Sequence, residues 1–340
     1  MYMLKYVLKR IGLMLMTFLV IMFICFVLIK ALPIVVQAGY GQDSNLMYLR
    51  LEARGYITDL VYDASGNIVG FSNVPILTQL GTYLHRIFAE GDFGVGVNIP
   101  EYSGRDVLSV FKENLPPTIL INIYSTLIGV PIGLGLGIFA ALKKNKWQDQ
   151  VINVIIILLI SLPSIVLGLF IQYVFCFKLG WFPLTMNSGY EYFTWSMFVS
   201  MLPAVLALCL NSIAGYARYT RAELSEVLTS EFMLLARTKG LTRGQATWRH
   251  AMRNAMVVIF PSILSEFVSV LSGSLIIENM FSIPGVGRLY LSSITSQDYD
   301  FFMFLSGFYV LVGLAATIII DISYGFIDPR IRMGASKTNG

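Results

Sequence analysis

Six stretches of this chain run for roughly a bilayer's width with few charges: 11–32, 118–142, 151–177, 196–217, 254–278 and 303–327. A helix crosses the hydrocarbon of a membrane with about 20 apolar residues. Only 13% of the 340 residues are charged and the mean hydropathy is +0.70, where soluble domains carry about 25% charged residues. The chain is therefore predicted to be an all-α membrane protein with six transmembrane helices. The first run follows Lys5, Lys9 and Arg10 and so resembles a secretion signal. It exceeds the usual core of about 7–15 residues and lacks a small-x-small cleavage site, so it is read as a retained span. The third run contains Ser161-Leu162-Pro163, where proline is predicted to kink or break the helix.

Charge predicts the orientation. With the N-terminus inside, 16 of the 24 Lys/Arg fall on inner segments: Lys5, Lys9, Arg10, Lys143, Lys144, Lys146, seven in 218–253, then Arg330, Arg332 and Lys337. Positive charge is retained inside, so both termini are predicted to be cytoplasmic. The net charge of +4 is a sum over two sides and implies no nucleic acid. Segment 33–117, with nine Asp/Glu against five Lys/Arg, becomes external. Within it, 60–63 and 68–70 flanking Ala64-Ser65-Gly66-Asn67 fit a β-hairpin. A short helix over 105–114 is predicted to lead to Pro116-Pro117. The resulting organisation is 1–32 tail and first span, 33–117 external segment, 118–332 five-helix core containing the cytoplasmic loop 218–253, and 333–340 tail.

That loop reads as a helix, a corner and a second helix. Lys239-Gly240-Leu241 fits a helix end with Gly240 left-handed, and Thr242-Arg243-Gly244-Gln245 fits a capping box. A rigid corner at a membrane surface is a docking device. A DNA-binding reading fails because the corner is tethered to spans at both ends. Cys25, Cys176 and Cys209 lie in apolar spans and are read as small buried hydrophobes. His85 and His250 fall on opposite sides, which excludes a shared zinc site or a His-based triad.

On the fifth span Ser262, Ser265, Glu266, Ser269, Ser272 and Gly273 recur at three- and four-residue spacing and share one side of a helix. An intramembrane carboxylate is costly and faces protein or water. One reading is a water-filled path with Glu266 near a peptide amino group; the other is helix packing with Glu266 bonded to a partner subunit. Asn122, Ser125 and Thr126 on the second span, and Asn211 and Ser212 on the fourth, are read as packing groups. Gly129, Gly133 and Gly137 permit close helix approach, within the subunit or at a partner seam.

Ala236-Arg237-Thr238-Lys239-Gly240-Leu241 followed by Arg249-His250-Ala251-Met252-Arg253-Asn254-Ala255 resembles the "EAA" loop of permease subunits in bacterial ABC importers for dipeptides, oligopeptides and nickel. Gly91-Asp92-Phe93-Gly94, Leu115-Pro116-Pro117-Thr118, Ser161-Leu162-Pro163-Ser164, Phe281-Ser282-Ile283-Pro284-Gly285-Val286-Gly287-Arg288 and Ile327-Asp328-Pro329-Arg330-Ile331-Arg332 are similar to that family's segments in the same order. Leu4-Lys5-Tyr6-Val7-Leu8-Lys9-Arg10 resembles the start of its first oligopeptide permease subunit. The chain departs from the family after the first span, where Leu32-Pro33-Ile34-Val35 replaces the usual Pro-Gly-Asp-Pro, across 37–90, and at Leu234 and Leu235, which replace the motif's Glu and Ala.

The resemblance implies a type I ABC importer permease fold in a bacterial cell membrane. It implies a second homologous permease, two ATP-binding subunits, an external solute-binding protein, membrane lipid and a peptide substrate moved by alternating access. No Walker A loop is present, so ATP and Mg are expected on the partner ATPases and no cofactor on this chain, which is not an enzyme. Leu235, Ala236, Gly240 and Leu241 are expected to form the packing face toward the ATPase. Arg237, Lys239, Arg243 and Arg249 would pair with it or simply hold the loop inside. Nickel is an alternative cargo, and an ATPase-independent secondary transporter is an alternative of a different class.

Overall fold

A computed structural model describes residues 2–34, 36, 43–189 and 191–327. The segment 328–332 and the tail 333–340, with Arg330, Arg332 and Lys337, lie outside the described residues. The chain opens with α1 (Tyr2–Ala31) and α2 (Ser44–Ala53), then strands β1 (Ile57–Tyr62) and β2 (Ile68–Asn73), then α3 (Ile76–His85). The long α4 (Val107–Leu142) leads to α5 (Trp147–Ser161), α6 (Ser164–Ile171) and α7 (Trp195–Leu228). Two short helices, α8 (Glu231–Thr238) and α9 (Arg243–Ala246), precede α10 (Met252–Ser269), α11 (Leu275–Met280), α12 (Val286–Thr295) and α13 (Tyr299–Ile327).

Among the described residues, five helical stretches are long and apolar enough to cross a membrane, and a bent pair makes a sixth if it is one span. That pair is the third predicted run. It bends by 101° between Ser161 and Ser164. Leu162 is extended (φ −87°, ψ 126°), because Pro163 disfavours the helical region for the residue before it. The second run differs from its expectation: no separate short helix stands before Pro116-Pro117. Instead Asp106 accepts from the Ser109 backbone at 2.8 Å, and α4 starts at Val107 and runs on through both prolines. The fourth run continues eleven residues past 217 as helix, so α7 includes Arg218 and Arg221.

The chain divides into two compact units: Met1–Pro116 with Pro284–Leu314, and Pro117–Ile283 with Ala315–Gly340. The first contains the hairpin, as the sequence suggests. Its turn is built by Asp63, whose Oδ1 accepts from Ser65 and Asn67 backbone at 2.8 Å each. Those hydrogen bonds, Asn67's foremost, hold the Asp63 carboxyl below its ordinary range. Phe26, Met47, Leu51, Tyr56 and Tyr83 are buried beneath the hairpin and helices. Buried polar groups that the sequence did not announce sit in this unit. Tyr56 donates to Asp300 and accepts from Arg86 Nη2 at 3.1 Å. Asp298 Oδ2 accepts three backbone N–H bonds, from Val97 and Asn98 at 2.7 Å and Ile99 at 3.2 Å. Burial outweighs those bonds and pushes the Asp298 carboxyl up to about 6.

The second unit holds most of α4, the helices from α5 to α11 and the corner. Gly133 and Gly137 lie one turn apart against α7: a Cβ on Gly133 would stand 2.7 Å from Tyr216 Cβ, and one on Gly137 would stand 2.6 Å from Thr220 Cβ. The small-residue stripe is therefore used within the subunit. Lower on α7, Arg221 holds Asp149 of α5 through two bonds of 2.5 and 2.8 Å. Asp149, 2% exposed, also accepts from Asn145 backbone and Asn153 at 2.9 Å each. A buried carboxylate with this many donors is compensated for its lost hydration.

Candidate functional site

The corner between α8 and α9 is fixed by two interlocked caps. At the end of α8, Leu241 N donates to Ala236 O at 3.4 Å and Gly240 N to Arg237 O at 3.0 Å. This is the Schellman pattern, which needs a left-handed residue just past the helix. Gly240 supplies it with φ +90°. Immediately afterwards the Thr242 hydroxyl accepts from Gln245 N at 3.3 Å and Gln245 Oε1 accepts from Thr242 N at 3.1 Å, the reciprocal capping box. Both features match the sequence expectation, and together they leave little slack over 239–245.

The packing face differs from expectation. Ala236 is 7% exposed and turns into the subunit's own core with Met233, Ala246, Ala251, Ala255 and Ile259. Leu241 packs partly against the same cluster. A helix of this length buries only one stripe, and on α8 that stripe is Met233 and Ala236. The outer face instead presents Leu234 (65% exposed) and Leu235 (57%), with Phe232 and, beyond α9, Trp248 also exposed. Gly240 is exposed, as are Arg237, Lys239, Arg243 and Arg249. Among the loop's cations Arg221 is different, being committed to Asp149.

The second feature is a polar hollow in the same unit. Two cavities, of about 340 and 470 Å³, share Asn211, Ser212 and Glu266 in their walls. The first is completed by Asn122, Ser125 and Thr126 of α4 and by Ser269, Gly273 and Ser274. The second is completed by Tyr216 and Tyr219 of α7 and by Ser262 and Ser265 of α10. Polar patches read separately in the sequence are thus gathered around one carboxyl group. Glu266 Oε1 accepts from Ser212 at 3.0 Å. The hydroxyls of Ser262 and Ser269 are returned to their own helix, donating to Ile259 O at 2.7 Å and Ser265 O at 2.9 Å. Ser272, predicted on the same stripe, lies in the turn after α10 and is not among the lining residues.

The fifth run is not one helix. It breaks at Gly273 (φ +65°), and α11 restarts under a Ser274 cap that accepts from Ile277 N at 3.4 Å. Glu278, which sequence reasoning passed over, is 1% exposed. Its Oε1 accepts from Thr118 at 3.1 Å and from Ser274 N at 3.3 Å, closing the turn. Irregular backbone at membrane depth persists where it is buried in protein or lines a cavity. Val270, Gly273 and Ser274 line this one.

The family model for the binding-protein-dependent transport system inner membrane component matches residues 133–333. The chain is 30% identical over 332 residues to the dipeptide transport system permease protein DppB of Bacillus subtilis (strain 168), covering 97% of this chain and 98% of that one. It is 29% identical to the glutathione transport system permease protein GsiC of Shigella flexneri serotype 5b (strain 8401), covering 97% and 99%. In fold it is similar to a chain of an amino acid ABC transporter solved with histidines, with TM-score 0.51 and 20% identity over 64% of this chain and 94% of that one. The fold is the all-α, multi-pass membrane type of type I ABC importer permeases, here with one small hairpin. The chain therefore belongs to the binding-protein-dependent transport system inner membrane component family and is a permease subunit of a bacterial ABC importer.

Proposed function

We propose that this chain forms half of the translocation pathway of an ATP-driven importer of small peptides, with a second homologous permease supplying the other half. In this reading the chain crosses the membrane six times, with both termini and the corner 218–253 in the cytoplasm and 33–117 outside, and the distribution of Lys and Arg supports it. Two ATP-binding subunits take the corner, and an external solute-binding protein delivers cargo. Relatives named for dipeptide and glutathione transport support peptide as the cargo class.

The observation that carries this reading is the doubly capped corner seated on an alanine-lined core. A corner capped on both sides and seated on the core it shares with Leu224 of α7 and with Ala255 and Ile259 of α10 passes a push to the spans instead of absorbing it. Its outward Leu234 and Leu235, flanked by Arg237 and Lys239, fit a partner surface that offers an apolar groove with acidic edges. Ala236 sets the height of the helix from beneath. The polar hollow around Glu266 supplies the stretch of pathway within this subunit, and alternating access opens it to one side and then the other. A photoreactive residue at Leu235 in native membranes tests the arrangement: it is expected to cross-link to an ATP-binding subunit, and capture of lipid alone would refute it.

A further inference from the structure

We infer that Glu266 recognises the free amino group of the peptide in transit, and that the junction of the two cavities is a selectivity point for cationic nitrogen. The inference rests on the import reading above and adds a specific chemistry to it. Among the described residues that line the two cavities, Glu266 is the one charged side chain. The other titratable groups there are the phenols Tyr216 and Tyr219, both on α7, and α4 contributes only neutral Asn122, Ser125 and Thr126. Glu266 lines both cavities, so a solute moving from one to the other passes it.

Three features give that position its preference. First, a carboxylate with no compensating cation among the lining groups attracts positive charge strongly where water is scarce. Second, Ser212 holds Oε1 at 3.0 Å and, among the described residues, this is the carboxyl's one recorded hydrogen bond, so orientation is fixed while the second oxygen stays uncommitted. Third, α10 ends at Ser269, one turn beyond Glu266. Ser269 and Val270 at that helix end line the same hollow, and the C-terminal ends of interrupted helices favour cations. The surrounding amides and hydroxyls suit a peptide's backbone, since each peptide unit offers a donor and an acceptor whatever its side chain. The site therefore reads the ammonium and leaves side chains unread.

The test is ATP-driven uptake of a labelled dipeptide by the complete importer in proteoliposomes, comparing wild type with Glu266→Gln between pH 7 and 9. A peptide α-amino group loses its proton near pH 7.7–8.0, and comparing the two proteins at each pH cancels the behaviour of the ATPases and the binding protein. Losing a charge-assisted hydrogen bond predicts that the variant transports about tenfold more slowly at pH 7. The ratio should shrink toward unity by pH 9. Glu266→Asp should keep the pH trend. A ratio that does not change with pH, or a Gln variant equal to wild type throughout, overturns the inference while leaving the import reading intact. Wild-type liposomes that take up no peptide with ATP overturn the import reading itself. If Glu266→Gln fails to assemble, Ser212→Ala, which only frees the carboxyl, should give a smaller loss with the same trend, and no loss overturns the inference.

Discussion

At the scale of single residues, the α4–α7 seam is set by what is missing from Gly133. A methyl group there would overlap Tyr216 Cβ and stand 2.8 Å from Ile213 O, and neither a packed ring nor a backbone carbonyl moves cheaply. Gly133→Ala is expected to lower stability by about 1–3 kcal/mol, measured as thermal unfolding in detergent. Gly135→Ala is the control: nothing lies within 4 Å of its Cβ, and alanine's helix propensity should leave it neutral or slightly stabilising. Asp298 yields a pH signature. Its folded carboxyl keeps a proton up to about pH 6, whereas the unfolded one releases it near 3.9. Rising pH therefore favours the unfolded state across that window. Asp298→Asn, which still accepts the Val97, Asn98 and Ile99 N–H bonds, should gain melting temperature relative to wild type between pH 4 and 6 and hold the gain above it. Arg221→Met leaves Asp149 buried without its cation. The expected loss is at the low end of about 3–5 kcal/mol, since Arg221 is 25% exposed, and adding Asp149→Asn should recover part of it.

At the scale of elements, the proposed coupling requires that the corner not bend. Leu235→Asp should reduce peptide uptake and binding-protein-stimulated ATP hydrolysis together by about tenfold, the cost of one interface anchor, with membrane insertion unchanged. A bulky residue at Ala236 should give a similar loss for a different reason, by lifting α8 from the core of Ala246, Ala251 and Ala255. Local chemistry made this element legible in the sequence: both caps are settled by residues within five positions of each other, as are the hairpin turn at Asp63 and the break at Pro163. The errors share the opposite cause. Arg221 looked like a loop residue because its partner Asp149 is 72 positions away. The gathering of Asn122, Asn211 and Glu266 could not be read from three separate helices. Glu278 had no visible role until Thr118, 160 residues distant, was placed beside it. The burial of Ala236 in this subunit's own core was not legible, because periodicity identifies a stripe without saying which neighbour covers it.

At the scale of the whole molecule, the chain is a transport subunit whose chemistry is confined to shape and charge. In the proposed function its Lys and Arg clusters, its capped corner and Glu266 each need a partner to act: a bilayer, an ATPase and a peptide. The rival that dispenses with the ATPase would use Glu266 as a proton or cation site and draw on the membrane gradient. Uptake of a labelled dipeptide into proteoliposomes separates the two most directly, with the permease pair and binding protein present and the ATP-binding subunits either included or omitted. The account requires uptake that depends on ATP, vanishes when those subunits are left out and survives collapse of the proton gradient. Uptake that persists without them and collapses with the gradient would contradict it.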